Sequence, residues 1–393
     1  MIKQIDITAS ARREIRSTPA LLAAIEGVEV AEASGRGLLF RGASLPWYQG
    51  APLLDHLENV HVASDRNLVD LRLPVQLVLR PNLDFRGFCG VVTGGIVKPG
   101  DRILTCVSEY SSNYISYLQV AKKTGAEIVV VPDDKHGQID LAALERAIDK
   151  HTRLVSISHV PTQGGLVQPA EAVGKIVNDA GVLYLLDACQ SVGMMPIDVK
   201  KIGCDFLSAT GRKYMRGPRG TGFLYARTRS TSQIEPIFLD NHAARWTGDR
   251  EYTVLGDAKR FENWERYFAG VIGLKVAADQ ANELGMEAVW ARLRQLADGL
   301  RARLAKLGGV TLTDLGMVKG AIVTFAVKDA DHTALKMALR EQGINVSVST
   351  QFSSRLDLQG RGLRDVMRAS VHVYNTEDEL DRFAAALDSL IRR

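Results

Sequence analysis

Between residues 101 and 210 the chain alternates short apolar runs with longer amphipathic segments, and nothing else in the sequence restricts the fold as much. DRILTCV (101–107), AEIVVVP, LVSISHV, VLYLLDA and CDFLSAT are nearly continuous apolar runs of strand length. Between them, SSNYISYLQVAKKTG (111–125), LAALERAIDKH and PAEAVGKIVNDAG read as helices, the first stopped by a glycine. Apolar strands separated by helices predict an α/β fold with a mainly parallel sheet covered on both faces. In such sheets ligands sit at the carboxyl ends of the strands. SEYSSN (108–113), HVPTQGG (159–165) and DACQSVG (187–193) all fall there, so a site is expected along that edge.

The rest of the chain has a different texture. GVIGLKVAADQANELGMEAVWARLRQLADGLRARLAKLGG reads as one long helix leading into GVTLTDLG and AIVTFAV. HTALKMALREQG is expected to be a helix, INVSVS and MRASVHVY strands, and the closing helix carries a capping box at Thr376 and Glu379. This predicts a smaller α+β domain. Residues 1–97 hold helix-like pieces and the apolar run LRLPVQLVLRP but no motif. The expected division is a divergent N-terminal segment (1–97), a large domain (98–272) and a C-terminal small domain (273–393), and 393 residues suit more than one domain.

A net charge of +4, spread along the chain, gives no field that would gather nucleic acid or a membrane surface. No apolar run reaches the ~20 residues that span a bilayer, and MIKQIDITASARREIR lacks the apolar core of a secretion signal. Cys89, Cys106, Cys189 and Cys204 form no CxxC pair, so neither a disulfide framework nor a metal site is indicated, and a cytoplasmic setting is expected.

Two residues point to chemistry. Asp187 ends VLYLLDA at the sheet's carboxyl edge, where a helix N-cap is its ordinary use. Lys213 follows 26 residues later in SATGRKYMRGPRGTGFLY (208–225), among Arg212, Arg216 and Arg219. Neighbouring strand ends can bring a lysine and a carboxylate into one pocket, the pair that pyridoxal 5'-phosphate requires. The lysine forms the Schiff base, the carboxylate keeps the pyridine nitrogen protonated, and nearby cations favour loss of the lysine's proton.

The pair DACQSVG and DFLSATGRKYMRGPRGTGFLY resembles the active-site signature of the class V aminotransferases, fold-type I pyridoxal phosphate enzymes that include cysteine desulfurases, isopenicillin N epimerase-like proteins and kynureninase. The resemblance implies a catalytic role for Lys213 as the Schiff-base lysine and places Asp187 at the pyridine nitrogen. It implies Gln190 and Thr162 near the ring's O3', Thr210 and Arg212 at the phosphate, Tyr110 stacked on the ring and Arg368 on the substrate carboxylate. Tyr110 and Arg212 stand where the family often has histidine. The match covers about residues 98 to 393, and the wording of SATGRK and RGPRGTGFLY is most like the isopenicillin N epimerase-like branch, which includes the C–S lyase of ergothioneine biosynthesis. It implies a homodimer acting on an amino acid by transamination, lyase chemistry or epimerisation, since one lysine serves all three.

Two departures accompany the match. VSVSTQFSSRLDLQGRGLRDVMRAS contains no cysteine, whereas desulfurases carry their nucleophilic cysteine on that loop. Residues 1–97 do not resemble the family's phosphate-cupping turn and helix, with Thr93-Gly94-Gly95 as the nearest candidate, so a protein impaired in cofactor binding is the alternative expectation. RFENWERYFAG (260–270) matches a segment at the family's dimer interface and equally suits packing between domains. A dehydrogenase is disfavoured because no G-x-G-x-x-G follows the first strand.

Overall fold

Six strands build the first sheet: β1 (Arg102–Cys106), β2 (Glu127–Val131), β3 (Thr152–Ser158), β4 (Leu183–Asp187), β5 (Phe206–Thr210) and β6 (Gly222–Ala226), in the order β2-β1-β3-β4-β5-β6. β1 to β5 pair in parallel, and β6 adds antiparallel to β5. The coordinates are a computed structural model and describe residues 97–392 apart from 235 and 237. All of these lie in the unit Leu79–Arg393. The expectations attached to residues 1–97, including the Thr93-Gly94-Gly95 turn, fall outside the described residues except at Val97.

Helices α1 (Ser111–Thr124), α2 (Leu141–Ala147) and α3 (Ala170–Asp179) connect β1 to β2, β2 to β3 and β3 to β4. Apolar side chains fill both faces of the sheet: Leu104, Val155, Leu186 and Leu207 on one, Ile103, Leu154, Leu185 and Phe206 on the other. This two-sided burial is why the strands lack polar alternation. α1 ends as expected at Gly125, which adopts φ 75°. α2 stops at Ala147, short of the expected His151. The Asp149 carboxylate accepts from the His151 amide at 2.9 Å and the Thr152 hydroxyl at 3.1 Å, a local turn that competes with further helix.

After β1 the chain turns towards β2, and after β3 it turns the other way towards β4. The carboxyl ends of β1 and β3 therefore flank a topological switch point, where the departing connections leave a crevice. SEYSSN and HVPTQGG occupy it.

The short helices α4 (Val199–Ile202) and α5 (Thr228–Thr231) lie on either side of β5 and β6 in the chain, and a hairpin of β7 (Ala244–Gly248) and β8 (Glu251–Val254) follows. In RFENWERYFAG, Phe261 packs edge-on to Phe206 with ring centroids 6.4 Å apart, Glu262 pairs with His242 and Arg266, and Trp264 is exposed. The expected single long helix is two, α6 (Phe268–Leu284) and α7 (Met286–Leu304). Gly285 sits between them at φ 76° and ψ 117°, a conformation that no helix continues through.

A second, antiparallel sheet has the order β11-β12-β10-β9, formed by β9 (Val310–Leu312), β10 (Ile322–Val327), β11 (Ser347–Thr350) and β12 (Asp365–Ser370). α7, α8 (His332–Glu341) and α10 (Glu377–Ile391) pack on it, and α9 (Arg355–Gly360) links β11 to β12. Leu293, Leu300, Phe325, Leu339 and Phe383 form the centre of this core. The capping box is present: Thr376 Oγ1 accepts from the Glu379 amide and Glu379 Oε2 from the Thr376 amide.

Candidate active site

The strand ends of the first sheet deliver the expected residues to one edge. Asp187 closes β4 and is buried. Its Oδ1 accepts from the Cys189 amide at 2.9 Å and so caps a turn, the ordinary use of an aspartate there; its Oδ2 accepts from Asn113 Nδ2 at 2.7 Å. Tyr110 precedes α1, Thr162 follows β3, and Gln190 follows β4.

Lys213 sits on a tight turn after β5. The Gly211 amide donates to the Thr221 carbonyl at 2.9 Å, Gly217 to Gly211 at 2.7 Å, and Arg216 to Lys213 at 2.8 Å. A Cβ at Gly211 would lie 2.2 Å from Thr221 Oγ1, so the turn closes only with glycine there. The turn holds Lys213 Nζ 5.9 Å from the centroid of the Tyr110 ring.

From the second sheet, Arg368 on β12 reaches across. Its Nη1 donates to Thr162 Oγ1 at 3.1 Å, and its Nε to Ser370 Oγ at 3.0 Å. A cleft of about 590 Å³ lies between the sheets, and Tyr110, Thr162, Gln190, Arg212, Lys213 and Arg368 line it. Asp187 and Thr210 do not line it: both are buried, and Thr210 Oγ1 makes a long 3.4 Å contact to the Thr221 carbonyl. The cleft also carries residues the sequence did not single out, chiefly Ser349, Phe352, His372 and Tyr374, with Phe352 92% exposed.

Beneath the cleft the electrostatics are unusual. Glu109 is buried within hydrogen-bond distance of five groups, and burial, then the nearby Asp187, pushes its carboxyl above the ordinary range. Burial pushes His159 down to about 4, leaving a neutral ring whose Nδ1 meets Ser191 Oγ at 3.0 Å. Arg212 is lowered by burial, then by the charge of Arg219. An anion there would relieve both effects.

Residues 90–383 match the family described as Aminotransferase class-V. The chain belongs to the class V aminotransferase family. Among its relatives, a probable cysteine desulfurase of Methanothermobacter thermautotrophicus is 30% identical over 306 residues, 76% of each chain. Probable cysteine desulfurase 2 of Mycobacterium leprae is 34% identical over 294 residues, 73% of this chain and 68% of that protein. The apo structure of a cysteine desulfurase from Thermococcus onnurineus has a TM-score of 0.73 at 27% identity, covering 77% of this chain and 76% of that one. The cystine C–S lyase C-DES, solved with its product cysteine persulfide, shares the fold at a TM-score of 0.68 and 24% identity.

This member of the class V aminotransferase family thus has the α/β fold-type I architecture of pyridoxal phosphate enzymes, as the strand pattern and motifs implied. The residues present fit that cofactor. A buried carboxylate at the carboxyl end of β4 suits a pyridinium nitrogen, an aromatic ring beside a lysine suits the cofactor's face and aldehyde, and Arg212, close to Arg219, suits a phosphate. Among the described residues no helix is long and apolar enough to cross a membrane, and no cluster of His, Cys, Asp or Glu is placed to hold a metal ion.

Proposed function

We propose that the chain is a pyridoxal phosphate-dependent lyase that breaks a carbon–sulfur bond at the β-carbon of an amino acid such as cysteine or cystine. The observation that carries this reading is that one cleft is lined by Lys213 from the first sheet and Arg368 from the second, with Asp187 buried at the end of β4, three residues before the lining Gln190. An α-amino acid presents an amine and a carboxylate to two such groups. Lys213 would hold the cofactor, Asp187 would face its ring nitrogen, and Tyr110 would cover its face. Gln190 and Thr162 would border O3', Thr210 and Arg212 the phosphate.

When bound, the protonated pyridine ring draws electrons from the substrate's Cα. The chain's residues do the remainder. Arg368 fixes the carboxylate with a planar fork, which orients the Cα–H bond. Lys213 removes the Cα proton, and the electron pair released expels sulfur from the neighbouring β-carbon. Thr162, already bonded to Arg368, aligns that fork.

The absence of a cysteine between Val346 and Arg368 directs the fate of the sulfur. Cys106, Cys189 and Cys204 are buried, and burial raises the thiols of Cys106 and Cys204, the latter to about 12, so neither presents a thiolate. Among the described residues no cysteine is placed to take the sulfur, so in this reading it leaves as a small molecule rather than on the loop before Arg368. The desulfurases among the relatives support carbon–sulfur cleavage over transamination or epimerisation, and the same support leaves the isopenicillin N epimerase-like branch as a finer assignment within the proposal. A homodimer in the cytoplasm, with the division at residues 97/98 and 272/273, completes the reading.

The test is incubation of the cofactor-loaded protein with L-cysteine or L-cystine. Sulfide or a persulfide should appear with ammonia and a keto acid, with no sulfur bound to the protein. A yellow protein that instead consumes a keto acid acceptor or racemises the amino acid would replace the lyase reading, and a protein that stays colourless with added cofactor would remove it.

A further inference from the structure

The carboxyl group of Glu109 has no role in the reading above, yet it is the most heavily bonded side chain beneath the cleft. Its two oxygens have different partners. Oε1 meets the Tyr110 amide at 2.7 Å, Asn113 Nδ2 at 2.9 Å and Ser158 Oγ at 2.6 Å. The first two can only donate, so Oε1 must accept. Oε2 meets Thr105 Oγ1 at 3.1 Å and the Tyr117 hydroxyl at 3.3 Å. Hydroxyls rotate and can accept as readily as donate. Oε2 is therefore the one position in this network that can carry a proton without losing a bond.

Asn113 joins this group to Asp187. Its amide nitrogen lies 2.9 Å from Glu109 and 2.7 Å from Asp187 Oδ2, so both of its hydrogens are committed, one to each carboxyl group. Its Oδ1 is buried with no hydrogen-bond partner. The amide accepts that cost because turning it over would aim oxygen at two carboxyl groups. Were both ionised, two buried like charges would stand within hydrogen-bond reach of one amide nitrogen, and each would raise the cost of the other.

We propose that Glu109 is a positioning residue held as the neutral acid, protonated at Oε2, which through Asn113 fixes the ionised Asp187 in the orientation that meets the cofactor's ring nitrogen. Burial, then Asp187, raises Glu109, in the same direction. The inference rests on the cofactor reading for its last link, and on the hydrogen-bond geometry together with the burial of Glu109 for the first two.

The neutral acid is tested without cofactor. The infrared spectrum of the apo-protein should show the carbonyl stretch of an un-ionised carboxylic acid, absent from Glu109→Gln. No such difference at neutral pH overturns the protonated state. The positioning role is tested by pyridoxal phosphate titration followed by absorbance. Glutamine reproduces a neutral acid, with its oxygen at Oε1 and its amide donating to Thr105 and Tyr117. Glu109→Ala and Asn113→Ala should weaken binding about tenfold or more and shift the pH at which the bound cofactor changes colour, and Glu109→Gln should restore both. Thermal melts identify any variant that fails to fold, in which case Asn113→Asp, which sets a third carboxyl group between the two, takes its place and should weaken binding by at least as much. If the wild-type chain binds no cofactor, the functional reading and the positioning role fall together while the infrared result stands. If it binds and both alanine variants match it, the positioning role alone falls.

Discussion

Lys213 reaches the cleft because a glycine turn brings it there, and Arg368 because it stands on a strand that faces the same opening. Their loss should differ in kind. Lys213→Ala should abolish turnover and leave the thermal midpoint close to wild type, checked by a sulfide assay beside a melt, because the residue is only partly buried. Arg368→Lys keeps the charge and loses the fork, so kcat/KM should fall by about 1.5–3 kcal/mol, the scale of a charged hydrogen bond. An unchanged kcat/KM would take Arg368 out of the site. Lys213 could be noticed in the sequence as a lysine in a glycine-rich turn, whereas Arg368 entered only through the family resemblance, and one cleft is lined by both. Glu109 was legible in neither way. Its environment comes from Thr105, Tyr110, Asn113, Tyr117 and Ser158, and before folding it is one acid among 45 acidic residues.

At the scale of elements, apolar runs and caps announced themselves, and backbone punctuation did not. The strands of the first sheet, the Gly125 stop and the capping box all followed from local chemistry. The break at Gly285 did not, because a glycine within a helical pattern is tolerated as often as it ends one. Thr376→Ala should cost about 0.5–2 kcal/mol, the usual worth of an N-cap side chain, measured by denaturant unfolding. The turn after β2 carries a different signal. Burial first, then the charges of Asp357 and Asp134, raises Asp133 to about 7, and its Oδ1 is buried without a hydrogen-bond partner. The folded state then holds this proton more tightly than the unfolded one, so this group's contribution falls as pH rises between about 4 and 7. Asp133→Asn should therefore stabilise the protein at pH 8 relative to wild type by about 1 kcal/mol after allowance for solvent screening, and bring little gain at pH 4. A gain independent of pH would assign the effect to packing instead.

For the whole molecule, the crevice is a property of strand order: wherever connections leave β1 and β3 in opposite directions, an opening remains between them. Cofactor affinity is a separate matter. Within the described residues Arg212 and Thr210 are the groups proposed for the phosphate, and a helix start cupping it would add about 0.3–2 kcal/mol. Replacing residues 1–97 with a class V N-terminal part should thus tighten pyridoxal phosphate binding several-fold in a titration; equal, tight binding by the native chain would show that its own N-terminal residues already supply that element.

The bond from Arg368 to Thr162 has one more consequence. Along the cleft the two sheets meet through polar contacts: Arg368 with Thr162, Gln163 with Ser354 and Asp357, and the Ser111 amide with the Ser353 carbonyl. This polar rim opens at less cost than the apolar core that Val160, Val167, Met194 and Tyr214 share with the second sheet. An amino acid held at one end by Lys213 and at the other by Arg368 would staple the rim, and the effect would appear in the kinetics of breathing as well as in catalysis. Backbone amides of β11 and β12 should exchange with deuterium more slowly when an amino acid is bound. The same ligand without its carboxylate should leave their exchange rates as they are in its absence.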